Sequence, residues 1–273
     1  MIKKIQKNKT VTVAAAFIVM MIIFAVFAPF IATHDPSKID AGGVLVAPSR
    51  GHIFGTDTLG RDIFSRVVYG SRISLAIGFM AVLLAVAIGV LFGSTAGYYG
   101  GKVDYCLMRF VDMMLCFPTL FLILAVVAIL EPSILNIIAV IGATSWMGVA
   151  RLVRAEVLTL KERDYISAAR VMGASDVRII LKHLIPNAIG PVIVSATLGM
   201  GGAILVESSL SFLGIGVQPP TPSWGNILMD GRSTLGVAWW LTVYPGLFIM
   251  FTVLSYNIIG ERLRDHFEPG LKR

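Results

Sequence analysis

Four histidines, two cysteines and sixteen acidic residues are the side chains here that could bind a metal, attack an electrophile or relay protons. None of them has the spacing those chemistries require. His34, His52, His183 and His266 are scattered without metal-ligand spacing, so no metal site is expected. Cys106 and Cys116 form no CxxC pair and lie in or beside an apolar segment, where they read as buried, space-filling thiols. The nearest phosphate-loop pattern, "AGYYGGKV", has Ala96 in place of the first glycine and Val103 in place of the Ser or Thr. An apolar span precedes it rather than a strand, so the match fails. No GxSxG, HExxH or kinase-like set occurs, and the acids within apolar runs are too dispersed for a proton relay. The chain does not read as an enzyme, and no cofactor bound by the chain itself is expected.

The elements that carry these residues are membrane spans. Of the 273 residues 56% are hydrophobic and 14% charged, with mean hydropathy +0.81. A soluble domain would carry about 25% charged residues. Apolar runs long enough to cross about 30 Å of hydrocarbon as helices make the chain all-α and polytopic. Six spans are expected, at roughly 11–32, 73–97, 107–130, 134–150, 187–212 and 237–259. The first run follows Lys3, Lys4, Lys7 and Lys9 and exceeds a signal-peptide core in length, so it reads as an uncleaved span. Pro118 should kink the third span. Arg109 and Asp112 near its start should pair or snorkel, without a transport role.

With six spans both termini lie on one side of the membrane. Of the 23 Lys and Arg residues, 17 fall on that side and 6 on the other. Cytoplasmic loops hold the excess of positive charge, so both termini are expected in the cytoplasm. The net charge of +7 is thereby an orientation signal, and nucleic-acid binding is not expected.

One cytoplasmic segment is out of keeping with the rest. Between Arg151 and Pro186 the chain is hydrophilic yet periodic, with apolar residues spaced for a helix that has one apolar side. Gly173 interrupts it, and "ASDVRIILKHLIP" reads as a second helix capped by Ser175 or Asp176. Ala168 and Ala169 leave a smooth patch open to a close-fitting surface, and Pro186 ends the second helix or starts the next span. An amphipathic pair resting on headgroups and a docking element for a cytoplasmic motor are both consistent with this pattern.

The spacing of Ala168-Ala169, Gly173 and Pro186, thirteen residues beyond that glycine, resembles the "EAA" loop of ATP-binding-cassette importer permeases. "FGTDTLGRDIFSRVVYGSRISL", "SFLGIGVQPPTPSWG" and "GERLRDHFEP" resemble the second permease subunit of the peptide/nickel branch, and the likeness covers nearly the whole chain. The resemblance implies a type I importer permease fold and an ATPase-coupling set of Asp164, Ser167, Ala168, Ala169, Arg170, Gly173, Ala174, Ile185 and Pro186. Ser167 departs from the family, which carries a glutamate there, so a carboxylate would have to come from Asp164 or Glu162.

The implied partners are a homologous permease subunit, two ATPase subunits holding ATP and magnesium, an extracytoplasmic substrate-binding protein and the lipid bilayer. The implied location is a bacterial or archaeal cytoplasmic (inner) membrane. The chain divides into residues 1–72, holding the tail, first span and outer-face segment, and 73–273, a five-helix core with the coupling loop at 151–186. The implied cargo is a di- or oligopeptide, with nickel, another metal chelate or glutathione as alternatives in the same branch. A self-contained channel or secondary transporter is the alternative of a different class.

On the outer face, Asp57, Arg61, Asp62 and Arg66 either contact the binding protein or form internal salt bridges. "VQPPTPSWG" cannot be helical through its prolines; it either packs at the outer mouth, with Trp224 at the membrane interface and among the docking residues, or gates the pathway. Glu207, with Ser208 and Ser211, either lines the translocation route or makes a structural hydrogen bond between spans.

Overall fold

The computed structural model describes residues 9–131 and 133–267. Among them there is no strand beyond one isolated bridge between Thr56 and Asp62. The helices are α1 (Lys9–Val26), α2 (Ala28–Ile31), α3 (Ile63–Tyr99), α4 (Gly101–Leu115), α5 (Thr119–Ile129), α6 (Ile134–Leu160), α7 (Asp164–Val171), α8 (Asp176–Ile179), α9 (Ile185–Phe212), α10 (Trp224–Gly231) and α11 (Trp240–Phe267). A π-helical turn, Ile180–Leu184, joins α8 to α9. Among the described residues, five helical runs are long and apolar enough to cross a membrane: α1, α3, α6, the run from Asp176 to Phe212, and α11. The bent pair α4 and α5 makes a sixth if counted as one span.

Three boundaries differ from the sequence expectation. α3 starts at Ile63, ten residues before the expected span, because Asp62 caps it by accepting from the Ser65 amide at 2.8 Å. Its first turns carry Arg66, whose charge hid the helix from a hydropathy reading, and that side chain is buried in ion pairs. The third span does kink near Pro118, but as a break between two helices: α4 and α5 meet at 82°. Pro118, at the start of α5, lacks an amide proton and disfavours helical geometry at Phe117, so the helix stops and restarts. α6 runs ten residues beyond its expected end, to Leu160, which leaves only Lys161–Arg163 as a break before α7.

The tightest packing joins α3 to α6. Gly89, Gly93 and Gly97 form a stripe four residues apart along α3. A methyl group at Gly89 would lie 2.6 Å from Cβ of Val149, one at Gly97 would lie 2.9 Å from Cβ of Val157, and one at Gly93 would collide with the Ala150 carbonyl. Small residues let the two backbones meet where no hydrophobic effect drives helices together. α9 packs against α3, α6 and α11, and α1 lies against α3 and α11. The thiols Cys106 and Cys116 are both exposed on this chain, not buried as expected, because they lie on α4 and its end, which meet the bundle along one side only.

Candidate functional site

Two ends of the bundle concentrate the polar chemistry. At the end where α1 begins and α11 finishes, α7 and α8 form a loop between α6 and α9. Ile166 and Ala169 turn inward, and Ile166 packs with Ile179, Leu184, Val153, Val157 and Tyr98. Asp164, Ser167, Ala168, Arg170, Val171, Met172 and Gly173 remain exposed. The Ala168-Ala169 patch is therefore split, with Ala168 outward and Ala169 4% exposed against its own chain. Val171 and Met172, 89% and 81% exposed, place a solvent-facing apolar tip at the corner.

That corner is a Schellman motif. Gly173 sits at φ +80°, its amide donates to the Arg170 carbonyl at 3.0 Å, and the Ala174 amide donates to the Ala169 carbonyl at 3.1 Å. Ser175 occupies the N-cap position of α8, but its side chain makes no capping bond. The second helix does not end at Pro186. That proline lies just after the π turn, at the start of α9 within a continuous helical run, and Ile185 is half-buried beside it.

The loop is tied to the spans by polar contacts. Tyr98 Oη donates to Asp176 Oδ1 at 2.6 Å, and the Arg170 guanidinium lies 5.9 Å from the centre of the Tyr98 ring. Lys161 Nζ donates to the Gly97 carbonyl at 3.2 Å. Arg154 grips the Asp104 carboxylate with both Nε and Nη2, the second contact at 2.5 Å, joining α6 to α4. Asp112 pairs with Arg151 at 2.5 Å rather than with Arg109, whose guanidinium lies over the Tyr105 ring. Sequence reasoning missed Tyr98 and Asp176 as partners, since they lie 78 positions apart.

At the opposite end the outer segment folds over the bundle. Asp57 accepts from the Arg61 side chain at 2.6 Å, from the Arg61 and Leu59 amides, and from Arg66 Nη1. Asp230 on α10 completes the cluster, accepting from Arg61 at 3.1 Å and from Arg66 at 2.8 Å. Two guanidinium groups thus face two carboxylates, and Arg66 is 1% exposed. Asp57, Arg61 and Asp62 are also buried, so these side chains hold the segment from within. Trp224 is fully buried at the start of α10 rather than at an interface; its Nε1 donates to the Val67 carbonyl at 3.1 Å. Ser223 before it makes a capping box with Asn226, so the helix begins as soon as the prolines end.

Glu207 is fully buried between these ends. Its carboxyl group accepts from Ser211 at 2.8 Å, from Ser74 on α3 at 3.1 Å and from Ser208 at 3.4 Å. Ser211 also accepts from the Val217 amide, fastening the loop after α9. The three residues sequence reasoning grouped are thus brought together, with Ser74 as the unforeseen partner. A cavity of 280 Å³ opens elsewhere, between α3, α6 and α9, lined by small residues including Ala81, Ala85, Ser145, Gly148, Gly199 and Gly202. Contrary to their linear spacing, His34 and His52 converge on Asp62.

Comparison with known proteins accords with this architecture. Residues 89–273 match the family described as "Binding-protein-dependent transport system inner membrane component". Residues 1–48 match the "N-terminal TM domain of oligopeptide transport permease C". The chain is 43% identical over 270 residues to the dipeptide transport system permease protein DppC of Alkalihalophilus pseudofirmus, covering 99% of this chain and 89% of that one. It is 39% identical over 272 residues to DppC of Bacillus subtilis, covering 99% and 85%. It is 42% identical over 271 residues to the glutathione transport system permease protein GsiD of Escherichia coli O6:K15:H31, covering 99% and 89%. Among solved structures, a chain of the inward-facing MetNI methionine ABC transporter aligns with TM-score 0.57 at 18% identity, covering 75% of this chain and 97% of that one, which supports the fold alone. An amino acid ABC transporter aligns with TM-score 0.55 at 14% identity, covering 74% and 94%. The inward-folded outer segment, the exposed corner between α6 and α9 and these matches converge: the chain belongs to the binding-protein-dependent inner membrane permeases, in the peptide/nickel branch of the ATP-binding-cassette importers.

Proposed function

We propose that this chain forms half of the membrane channel of an ATP-driven importer of di- or oligopeptides, paired with a homologous permease. The observation that carries the mechanism is the α7 corner: an exposed helix with an apolar tip, bonded through Tyr98 and Asp176 to the end of a 37-residue span. Two ATPase subunits, which hold the ATP and magnesium, push on Asp164, Ser167, Ala168, Arg170 and Gly173. Ala169, Ala174 and Ile185 act from beneath, and the exposed Pro186 beside them, fixing the angle at which the corner meets α9. Both termini and this corner face the cytoplasm, as the distribution of Lys and Arg supports. On the opposite face an extracytoplasmic binding protein delivers the substrate. Asp57, Arg61, Asp62, Arg66 and Trp224 support that docking surface from below, while the exposed Ile39, Ile53 and Leu59 form part of it. Glu207, Ser208 and Ser211 set the spacing of α9 against α3 beside the pathway.

Peptide cargo is supported by the dipeptide permeases at 43% and 39% identity. A glutathione cargo is the second reading, favoured by the 42% identity to a glutathione permease. Uptake of labelled dipeptide, glutathione and nickel in a strain deleted for this chain, then complemented, separates the readings. Dipeptide uptake restored by the wild type and lost with Gly173→Pro supports the proposal. Restoration of glutathione or nickel uptake alone assigns the other cargo. Flux through the chain without ATPase subunits would make it a self-contained channel or secondary transporter.

A further inference from the structure

We propose that His34, His52 and Asp62 form a binding site for one first-row divalent transition metal ion, of the zinc class, at the end of the bundle where α3 begins. The three residues come from different segments: His34 follows α2, His52 lies in the outer segment, and Asp62 caps α3. One ligand atom from each lies within 4.8 Å of the other two. Nδ1 of His52 is 2.9 Å from Asp62 Oδ1, and Nδ1 of His34 is 3.7 Å from the same oxygen. Neighbouring ligands on a tetrahedral zinc, with bonds of about 2.0–2.1 Å, stand about 3.3 Å apart, so the two distances bracket the required value.

The carboxylate is already aimed. Its Oδ2 accepts from the Ser65 amide at 2.8 Å and lies 3.4 Å from the Thr33 hydroxyl, which stands 3.0 Å from His34 Nδ1 and would give up that contact to a metal, while Oδ1 faces the two imidazoles. Hydrogen bonds that fix a ligating carboxylate in this way orient it for metal. The Asp62 side chain is 1% exposed, whereas those of His34 and His52 are 43% and 25% exposed. The site therefore has a rigid buried anchor and two imidazoles that solvent-borne ions reach. The rings stack with centroids 4.8 Å apart and planes inclined at 29°, so both lie on the same side of the Asp62 carboxylate. Two imidazoles and one carboxylate suit zinc, cobalt or nickel better than calcium or magnesium, which prefer all-oxygen shells. Bound metal would join the end of the first span to the beginning of α3 through a third segment.

The test uses the full importer complex, purified in detergent, stripped with chelator and dialysed. Titrated with Co²⁺ alone, the wild type should take up one more equivalent than the H34A/H52A complex and show a visible ligand-field band that Zn²⁺ abolishes. H34Q/H52Q, which keeps polar groups of similar size, should lose the same equivalent, and H183A/H266A should retain it. Zn²⁺ should also raise the thermal midpoint of the wild type and leave that of H34Q/H52Q unchanged. Equal Co²⁺ stoichiometry in the wild type, H34A/H52A and H34Q/H52Q, or no band in the wild type, would overturn the site and leave a hydrogen-bonded His–Asp cluster.

Discussion

Tyr98 in the last turns of α3 and Asp176 at the first residue of α8 are joined by a 2.6 Å hydrogen bond across 78 positions of sequence. The bond connects the loop proposed above to meet the ATPase subunits directly to the end of the 37-residue helix α3. Tyr98→Phe keeps the ring beneath Arg170 and removes only this contact. A hydrogen bond to a charged group contributes about 1.5–3 kcal/mol, and the exposure of Asp176 favours the low end. Faster amide exchange in 164–186 and less substrate moved per ATP hydrolysed are the expected outcomes in reconstituted complexes. If both are unchanged, the bond transmits nothing.

Gly173 makes a second prediction. Its φ of +80° costs a side-chain-bearing residue about 1–2 kcal/mol, but no atom lies within 4 Å of an added methyl. Gly173→Asn should therefore retain most transport. Gly173→Pro fixes φ near −65° and deletes the amide that donates to Arg170, so uptake should vanish while the protein still reaches the membrane. Uptake assays beside quantified membrane levels distinguish the two variants.

The outer ion cluster should respond unequally to loss of its two acids. Asp57→Asn leaves buried Arg66 and Arg61 sharing Asp230, and breaking a buried pair costs about 3–5 kcal/mol. Asp230→Asn should cost less, because the Asp230 side chain is 17% exposed and water can substitute. Thermal unfolding in detergent should rank wild type above Asp230→Asn, and that above Asp57→Asn. The reverse order would refute this reading.

Glu207→Ala removes the acceptor for Ser74, Ser208 and Ser211. A buried donor left unsatisfied costs about 1–3 kcal/mol, so the thermal midpoint should fall clearly. Because Glu207 is fully buried within the chain, the conservative Glu207→Gln should leave the substrate KM and the order of preference among peptides unchanged. A switch in that preference would place the carboxyl group on the pathway.

The sequence made the spans and the corner legible because each rests on a local signal. Hydropathy marks a span, and a lone glycine between amphipathic turns marks a Schellman corner. What stayed hidden depended on partners distant in sequence. Arg66 looks like a loop residue until Asp57 and Asp230 neutralise it inside a helix. Trp224 looks like an interfacial anchor until the Val67 carbonyl receives its indole proton. His34 and His52 have no recognisable spacing, because the fold, rather than a single helix or turn, brings them to Asp62. The sharp bend at Pro118 lay between these cases: the residue is visible, but 82° requires the helix to stop rather than curve.

The uninterrupted run from Asp176 through the π turn to Phe212 has a mechanical consequence. At 1.5 Å per residue its 37 residues form a lever of about 55 Å, and a tilt of about 10° at one end would sweep the other through about 10 Å. Pro191 supplies no amide proton at its place along that lever, so the arm has a built-in compliant joint nearer its Asp176 end.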